Sequence, residues 1–360
     1  MIDFRSDTVT RPTRAMQEVM YKAPLGDDVF SDDPSVNALQ EFAAQKFGFA
    51  GALFAPSGTM TNLIALMSHC QRGDEAIVGQ NWHTYKWEGG GMAVLGSIQP
   101  QPLAHQVDGS IALSDIASAI KPDDPHFAKT RLVVIENTTG GQVLPMQYMQ
   151  DVAALAKSKH LNSHIDGARI MNAAVAIANR SQQDVWQTAR ALVAGYDSIS
   201  VCLSKGLGAP VGSLLLGDTD FLKRAKRVRK MLGGGMRQAG MLAAAGQYAL
   251  STHVERLAED HNNATKLALG LSAIADELKL GQKFTVQEPQ TNIIFCDLSA
   301  DLASYYVAEL AKIGIFCISS SYQTSDGARS KLRLVTHLDI SADDIDTTLV
   351  QSRRILAAFN

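Results

Sequence analysis

A lysine stands where an apolar stretch gives way to glycine. Ser198-Ile199-Ser200-Val201-Cys202-Leu203 ends at Ser204-Lys205, and Gly206-Leu207-Gly208-Ala209-Pro210 turns the chain into a second apolar run from Val211 to Leu216. A short continuous apolar run bounded by turn residues is the pattern of a strand buried on both faces. A lysine at the end of such a strand, beside glycines that let another group approach, can be held as the free amine that condenses with a carbonyl. Ser-Lys-Gly alone is ordinarily a surface turn. Its company changes the reading. His164-Ile165-Asp166-Gly167-Ala168-Arg169 closes another apolar strand with a carboxylate 39 residues before the lysine, and an arginine follows three residues later.

A Schiff-base lysine and an acid facing a pyridinium nitrogen are what pyridoxal 5'-phosphate chemistry asks of a protein, so Lys205 and Asp166 make that cofactor the expected one. Its phosphate needs an anion site. The short strand Gly51-Ala52-Leu53-Phe54-Ala55 feeds Pro56-Ser57-Gly58-Thr59 and then an apolar helix, so hydroxyls, free N–H groups and a positive helix end converge at Ser57, Gly58 and Thr59. An ordinary helix cap would read the same way in isolation. His83 opens the segment after the strand Glu75-Ala76-Ile77-Val78-Gly79, where α/β folds place ligand-binding residues. Its imidazole could stack on an aromatic cofactor or exchange protons near neutral pH. His126 lies in a polar loop, Lys121-Pro122-Asp123-Asp124-Pro125-His126, and reads as exposed unless that loop folds over a site. The run from Phe221 to Lys230, followed by Gly233-Gly234-Gly235-Met236-Arg237, is a basic helical face. Its cations are either solvated or reach a phosphate in this subunit or a neighbour's.

The elements that must position these groups alternate. Strands at 51–55, 75–79, 92–98, 131–136 and those ending at Asp166 and Lys205 are separated by helices, among them 114–121, 146–160 and 184–194. This predicts βαβ units and an α/β fold with a mainly parallel sheet flanked by helices. From about residue 246 the pattern changes to a small α+β domain, so the expected division is 1–245 and 246–360. Within the second part Arg333 sits on an alternating strand, Lys331 to His337, where it could hold a carboxylate as a planar fork or stand exposed on an edge. Net charge is −3, from 33 basic and 36 acidic residues, which argues against a nucleic-acid or membrane footprint. The four cysteines have no CxxC spacing and read as reduced core thiols of a cytoplasmic protein. No secretory signal or apolar run of membrane-spanning length is visible, and no metal site is expected.

Beyond these readings, the chain resembles the low-specificity L-threonine or L-allo-threonine aldolases, a pyridoxal-phosphate family of the aspartate-aminotransferase fold. The resemblance rests on segments that run through the chain in order: Phe4-Arg5-Ser6-Asp7-Thr8-Val9-Thr10, Gly26-Asp27-Asp28-Val29, Pro56-Ser57-Gly58-Thr59, His164-Ile165-Asp166-Gly167-Ala168-Arg169, Leu203-Ser204-Lys205-Gly206-Leu207-Gly208-Ala209-Pro210-Val211-Gly212-Ser213, Arg229-Lys230-Met231, Gly233-Gly234-Gly235-Met236-Arg237-Gln238-Ala239-Gly240 and Arg333-Leu334-Val335-Thr336-His337. One segment departs: Thr139-Gly140-Gly141 stands where many members carry a His-Asn pair.

The resemblance implies a fold type I enzyme with a seven-stranded-type sheet and a homotetramer built from two dimers. It implies that Lys205 holds the cofactor, Asp166 pairs with the pyridine nitrogen, His83 stacks on the ring, and Gly58 with Thr59 holds the phosphate, Ser57 and Arg169 also binding the cofactor. Lys230 and Arg237 resemble residues lent across the dimer interface to the neighbour's phosphate. Ser6, Arg169 and Arg333 resemble the set that binds the substrate carboxylate. The implied reaction is reversible cleavage of threonine or allo-threonine to glycine and acetaldehyde, with His83, His126 or an ordered water as the base. A β-eliminating lyase or aminotransferase reaction on the same scaffold is the alternative, since lysine, acid and phosphate loop serve all three.

Overall fold

In the computed structural model, which describes residues 1–325 and 327–359, the chain divides into two compact units, Pro12–Val254 and Met1–Arg11 with Glu255–Asn360. The expected division after residue 245 thus falls after Val254, and the first eleven residues join the C-terminal unit. The reason is backbone pairing. Ile2–Asp3 lies parallel to Ile315–Phe316, and the Val335 N–H donates to the Phe4 carbonyl at 2.9 Å.

The Pro12–Val254 unit is built on a seven-stranded sheet in the order Gly51–Ala55, Ser213–Gly217, Ser198–Cys202, Asn162–Asp166, Thr130–Glu136, Glu75–Gly79 and Gln99–Leu103. Ser213–Gly217 runs antiparallel to both its neighbours and the other strands run parallel. The sequence explains this exception. Only ten residues, Leu203 to Gly212, join Ser198–Cys202 to Ser213–Gly217, fewer than the dozen or so that a parallel crossover needs, so the two strands pair antiparallel. Strands 75–79, 198–202 and 213–217 are buried throughout, their apolar residues mixed with Glu75, Ser198, Ser200 and Ser213, which are buried too.

Helix ends follow their local chemistry. Asp33 accepts from the Ser35 and Val36 N–H groups at 3.0 Å each, Pro34 opens the helix, and Gly48 closes it at φ +81°, where a left-handed residue is needed. The strand expected over 92–98 is a correction: Gly91–Val94 is a helical turn and the edge strand is Gln99–Leu103. Its two prolines are tolerated because an edge strand leaves some N–H positions unpaired. The sequence reading also passed over the helix Ile170–Ser181.

The C-terminal unit carries a four-stranded antiparallel sheet in the order Ile318–Thr324, Gly327–Val335, Ile293–Ser299, Phe284–Val286. Helices Leu257–Glu277, Ala300–Lys312 and Ala342–Phe359 supply Leu267, Leu271, Tyr306, Leu310 and Leu356 to its core, together with Ile2 and Phe4. Among the described residues no helix is long and apolar enough to cross a membrane.

Candidate active site

Parallel strands end together on one edge of the sheet, and α/β folds bind ligands outside that carboxyl edge. Asp166 and Glu136 are the last residues of adjacent strands and stand directly opposite each other in register. Lys205 follows the end of Ser198–Cys202, the Ser57–Gly58 turn follows Gly51–Ala55, and His83 follows Glu75–Gly79. Five segments distant in sequence thus deliver their polar ends to one place.

The buried centre is Asp166, only 2% exposed. Its Oδ1 accepts the Ala168 N–H at 3.1 Å and its Oδ2 accepts from the Asn62 amide at 2.8 Å. Asn62 also donates to Glu88 Oε1 at 2.8 Å, and the same oxygen lies 2.8 Å from His83 Nδ1. One ligand-type atom each from His83, Glu88 and Asp166 falls within 4.8 Å of the others. The His83 N–H donates to Glu136 Oε2 at 2.5 Å.

These contacts set proton affinities. The hydrogen bond to the Glu88 carboxylate raises His83 above its ordinary value, against desolvation and the positive charge of Lys205. Burial raises Glu88, against its bonds from His83 and Asn62. Burial first, then the Asp166 charge, pushes Glu136 up to about 8, with Lys205 opposing. Lys205 is half-buried and its charge is felt at both His83 and Glu136, which places the residue beside this cluster.

The lysine loop is tied down by backbone: Gly208 N–H donates to the Lys205 carbonyl at 2.8 Å, and Ala209 N–H to Leu203 at 3.0 Å. His253 Nδ1 lies 2.8 Å from the Leu207 carbonyl. Gly212, at φ +115°, ends the loop where a Cβ would meet the Phe54 ring at 2.5 Å, so only glycine fits there.

Ser57 caps the helix Gly58–His69, its Oγ accepting the Met60 N–H at 3.2 Å. Ser57 and Thr59 are exposed and Gly58 partly so, leaving the first turn open to an anion. Arg169 is half-buried at the start of Ile170–Ser181. In the basic helix Thr219–Met231 the buried cation is Arg229, which lies 2.8 Å from Asp28 and donates to the Phe54 carbonyl at 2.6 Å. Lys230 beside it is exposed, and Arg237 pairs with Asp27 at 3.1 Å. His126 is an exposed loop residue, 2.7 Å from Asp124. Thr139 of the departing loop accepts from Trp82 Nε1 at 2.9 Å and donates to the Glu136 carbonyl at 3.0 Å.

Ser6 and Arg333 belong to the other unit. Ser6 caps the turn Asp7–Val9, and Arg333 donates to the Arg5 carbonyl at 2.9 Å.

Sequence reasoning missed Asn62, Glu88 and Glu136. A signal existed for Glu136, which like Asp166 ends an apolar strand. Asn62 stood out less, as one amide after two threonines at the start of the helix Gly58–His69. Nothing in the spacing of Glu88 distinguishes it from a solvated acid.

The family model described as beta-eliminating lyase matches residues 3–301. The low specificity L-threonine aldolase of Escherichia coli O157:H7 is 48% identical over 357 residues, 99% of this chain and 100% of that protein. Among solved structures, the Leishmania major threonine aldolase aligns with a TM-score of 0.82 at 21% identity, over 99% of this chain and 100% of that one. A high-resolution structure of SPT with PLP aligns at 0.68 and 19%, over 98% and 84%. At those identities the structures speak for the fold, the type I fold of pyridoxal-phosphate enzymes, while the full-length sequence match speaks for kinship. The chain therefore belongs to the beta-eliminating lyase family and, within it, to the low-specificity L-threonine aldolases.

Proposed function

We propose that this protein uses pyridoxal 5'-phosphate to cleave L-allo-threonine, L-threonine and related β-hydroxy-α-amino acids reversibly to glycine and an aldehyde. The observation that carries the reading is the meeting of Lys205, Asp166, His83 and Glu136 at one sheet edge, in a chain 48% identical to an aldolase along its length.

The residues present fit the cofactor. Asp166 offers a carboxylate whose two oxygens each accept a hydrogen bond, which fixes it in place to face a ring nitrogen. A capped helix with an open first turn suits a phosphate, and Lys205 supplies the amine that holds the group covalently. When bound, pyridoxal phosphate supplies an electron sink for the carbanion left at Cα as the Cα–Cβ bond breaks.

The chain's own residues do the rest. His83 would lie against the ring, and Gly58 and Thr59 would hold the phosphate, with Ser57 and Arg169 also on the cofactor. Arg169, half-buried at the start of Ile170–Ser181, would bind and orient the substrate carboxylate. A base takes the β-hydroxyl proton while the oxygen's electrons form the aldehyde C=O. We assign that step to His83, whose proton affinity Glu88 raises, ahead of the exposed His126. Lys230 and Arg237 would serve a neighbouring subunit's phosphate in a homotetramer of two dimers. A cytosolic setting agrees with four free thiols.

The test is acetaldehyde release from L-allo-threonine and L-threonine by wild type and Lys205→Ala, both incubated with the cofactor. Release that disappears in the variant supports the reading, and the ratio of the two rates gives the β-carbon preference. The family's description as eliminating lyases favours one rival, β-elimination. Ammonia and a keto acid in place of glycine and aldehyde would establish it.

A further inference from the structure

A chain of buried and half-buried polar side chains runs away from Asp166 through the body of the Pro12–Val254 unit. Asn62 and His69 are seven residues apart on one helix, hence on one face of it. His164 and Asp166 alternate on one strand, and Ser198 stands opposite His164 in register on the next. These placements form a continuous series: His69 Nε2 to Ser198 Oγ at 2.7 Å, Ser198 Oγ to His164 Nδ1 at 2.8 Å, and His164 Nε2 to Asn62 Oδ1 at 3.3 Å. From Asn62 it forks to Asp166 Oδ2 and Glu88 Oε1, each at 2.8 Å. Ser198 and His164 are 0% exposed and Asn62 is 2% exposed.

The direction of every bond follows from its end. Two carboxylate oxygens accept, so both Asn62 amide protons point to them and its Oδ1 is left to accept. His164 must then donate from Nε2. Burial holds the proton affinity of His164 well below the usual range, so the ring is neutral and its Nδ1 is bare. Ser198 therefore donates to Nδ1, and its oxygen accepts from His69 Nε2. His69, stacked on Phe221 at 4.4 Å, is also neutral, burial lowering it to about 3. Ser200 Oγ, 3.5 Å from His164 Nε2, is a weaker second acceptor. All donors point toward the active site, and reversing any one of them would turn the Asn62 oxygen against two carboxylates. Aligned hydrogen bonds in a low-dielectric interior polarise one another.

We propose that His69, Ser198 and His164 are positioning residues that act through Asn62 to hold the Asp166 carboxylate in place against the cofactor's ring nitrogen. The inference rests on the function proposed above only for what Asp166 faces; the relay itself is a property of the protein alone.

Two measurements separate these parts. In cofactor-free protein labelled with ¹⁵N-histidine, solid-state spectra should show His69 and His164 each with one protonated and one bare nitrogen, unchanged between about pH 6 and 9. Ser198→Ala should shift the bare nitrogen of His164 by removing its donor. Either ring titrating in that range, or no shift in the variant, overturns the relay. The second measurement uses holoenzyme carrying pyridoxal phosphate ¹⁵N-labelled at the ring. Ser198→Ala should move the ring-nitrogen resonance toward its unprotonated position and lower kcat roughly ten-fold, with KM within about two-fold.

Ser198→Thr, which keeps the hydroxyl, should restore both. His69→Leu cuts the chain at its far end and should give a smaller loss of about two- to three-fold, which keeps the idea testable if either serine variant fails to fold. A relay present in the first measurement with ring nitrogen and kcat unaffected in the second refutes the positioning role. A wild type that binds no cofactor refutes the function and leaves the relay standing.

Discussion

Glu136 bears an electrostatic cost that a single isosteric change removes. Glutamine keeps the shape and an oxygen for the His83 N–H, but cannot ionise. In the folded protein, burial and the Asp166 charge push the Glu136 carboxyl up to about 8 from its ordinary 4.5. Unfolded, the group returns to water and to the lower value. Between these limits the folded state retains a proton that the unfolded state has lost. Stability from this group is therefore complete below about pH 4.5, declines as pH rises, and reaches its minimum above about pH 8. At pH 7, some two and a half tenfold steps above 4.5 at about 1.4 kcal/mol each, the cost is about 3 kcal/mol.

We expect Glu136→Gln to stabilise cofactor-free protein by about 2–3 kcal/mol at pH 7 and to make no difference near pH 4.5. The assay is urea unfolding at several pH values followed by tryptophan fluorescence. All three tryptophans, Trp82, Trp87 and Trp186, lie in the Pro12–Val254 unit, so the signal reports the unit that holds Glu136. Other groups titrate in both proteins alike, and the difference between the two curves isolates this carboxyl. A difference that does not change with pH, or a variant less stable at pH 7, would refute the argument. The latter would mean that Glu136 is ionised and paired.

Three further changes have definite expectations. Glu88→Gln should bring the His83 titration down toward the ordinary imidazole value, because the Glu88 bond is the largest cause raising it; ¹⁵N-histidine spectra against pH read this directly. Arg229→Met leaves Asp28, 4% exposed, without its cation and should cost about 3–5 kcal/mol in urea unfolding. Asp28→Asn should cost less, because burial already raises Asp28 more than Arg229 lowers it, and the double variant should recover most of the loss. Gly212→Ala should cost more than about 2 kcal/mol, since φ is +115° and the Phe54 ring blocks a Cβ. Gly73→Ala is the control, with φ +88° but nothing within 4 Å, and should cost about 1 kcal/mol.

Much of the fold was legible because several of its strands are short, largely apolar runs bounded by turn residues and its helices carry their own end signals. Asp33-Pro34 and Gly48 bracket one helix as residue chemistry alone predicts. Residues 92–98 are apolar enough for a strand, but tertiary context makes them a helical turn and gives the edge to Gln99–Leu103, a stretch with two prolines that local propensity disfavours. The membership of Met1–Arg11 in the C-terminal unit was invisible for a different reason. It depends on pairing between residues more than 300 positions apart, and no local pattern encodes a partner that far away.

In the site the same distinction separates what was read from what was missed. Lys205 and Asp166 announce themselves because a charged residue ending a buried strand is anomalous without a function. Asn62, Glu88 and His164 are ordinary by type and position, and they acquire meaning only through distances of 2.8–3.3 Å to one another and to Asp166. Seven-residue spacing on a helix and two-residue spacing on two strands were present in the sequence, but each pattern also describes a core face. What makes them a polar network is the register between His164 and Ser198, a tertiary fact. The groups that do chemistry thus leave a trace in sequence, while the groups that hold them in place are recognisable only once strands are paired and the direction of each hydrogen bond has been followed to its end.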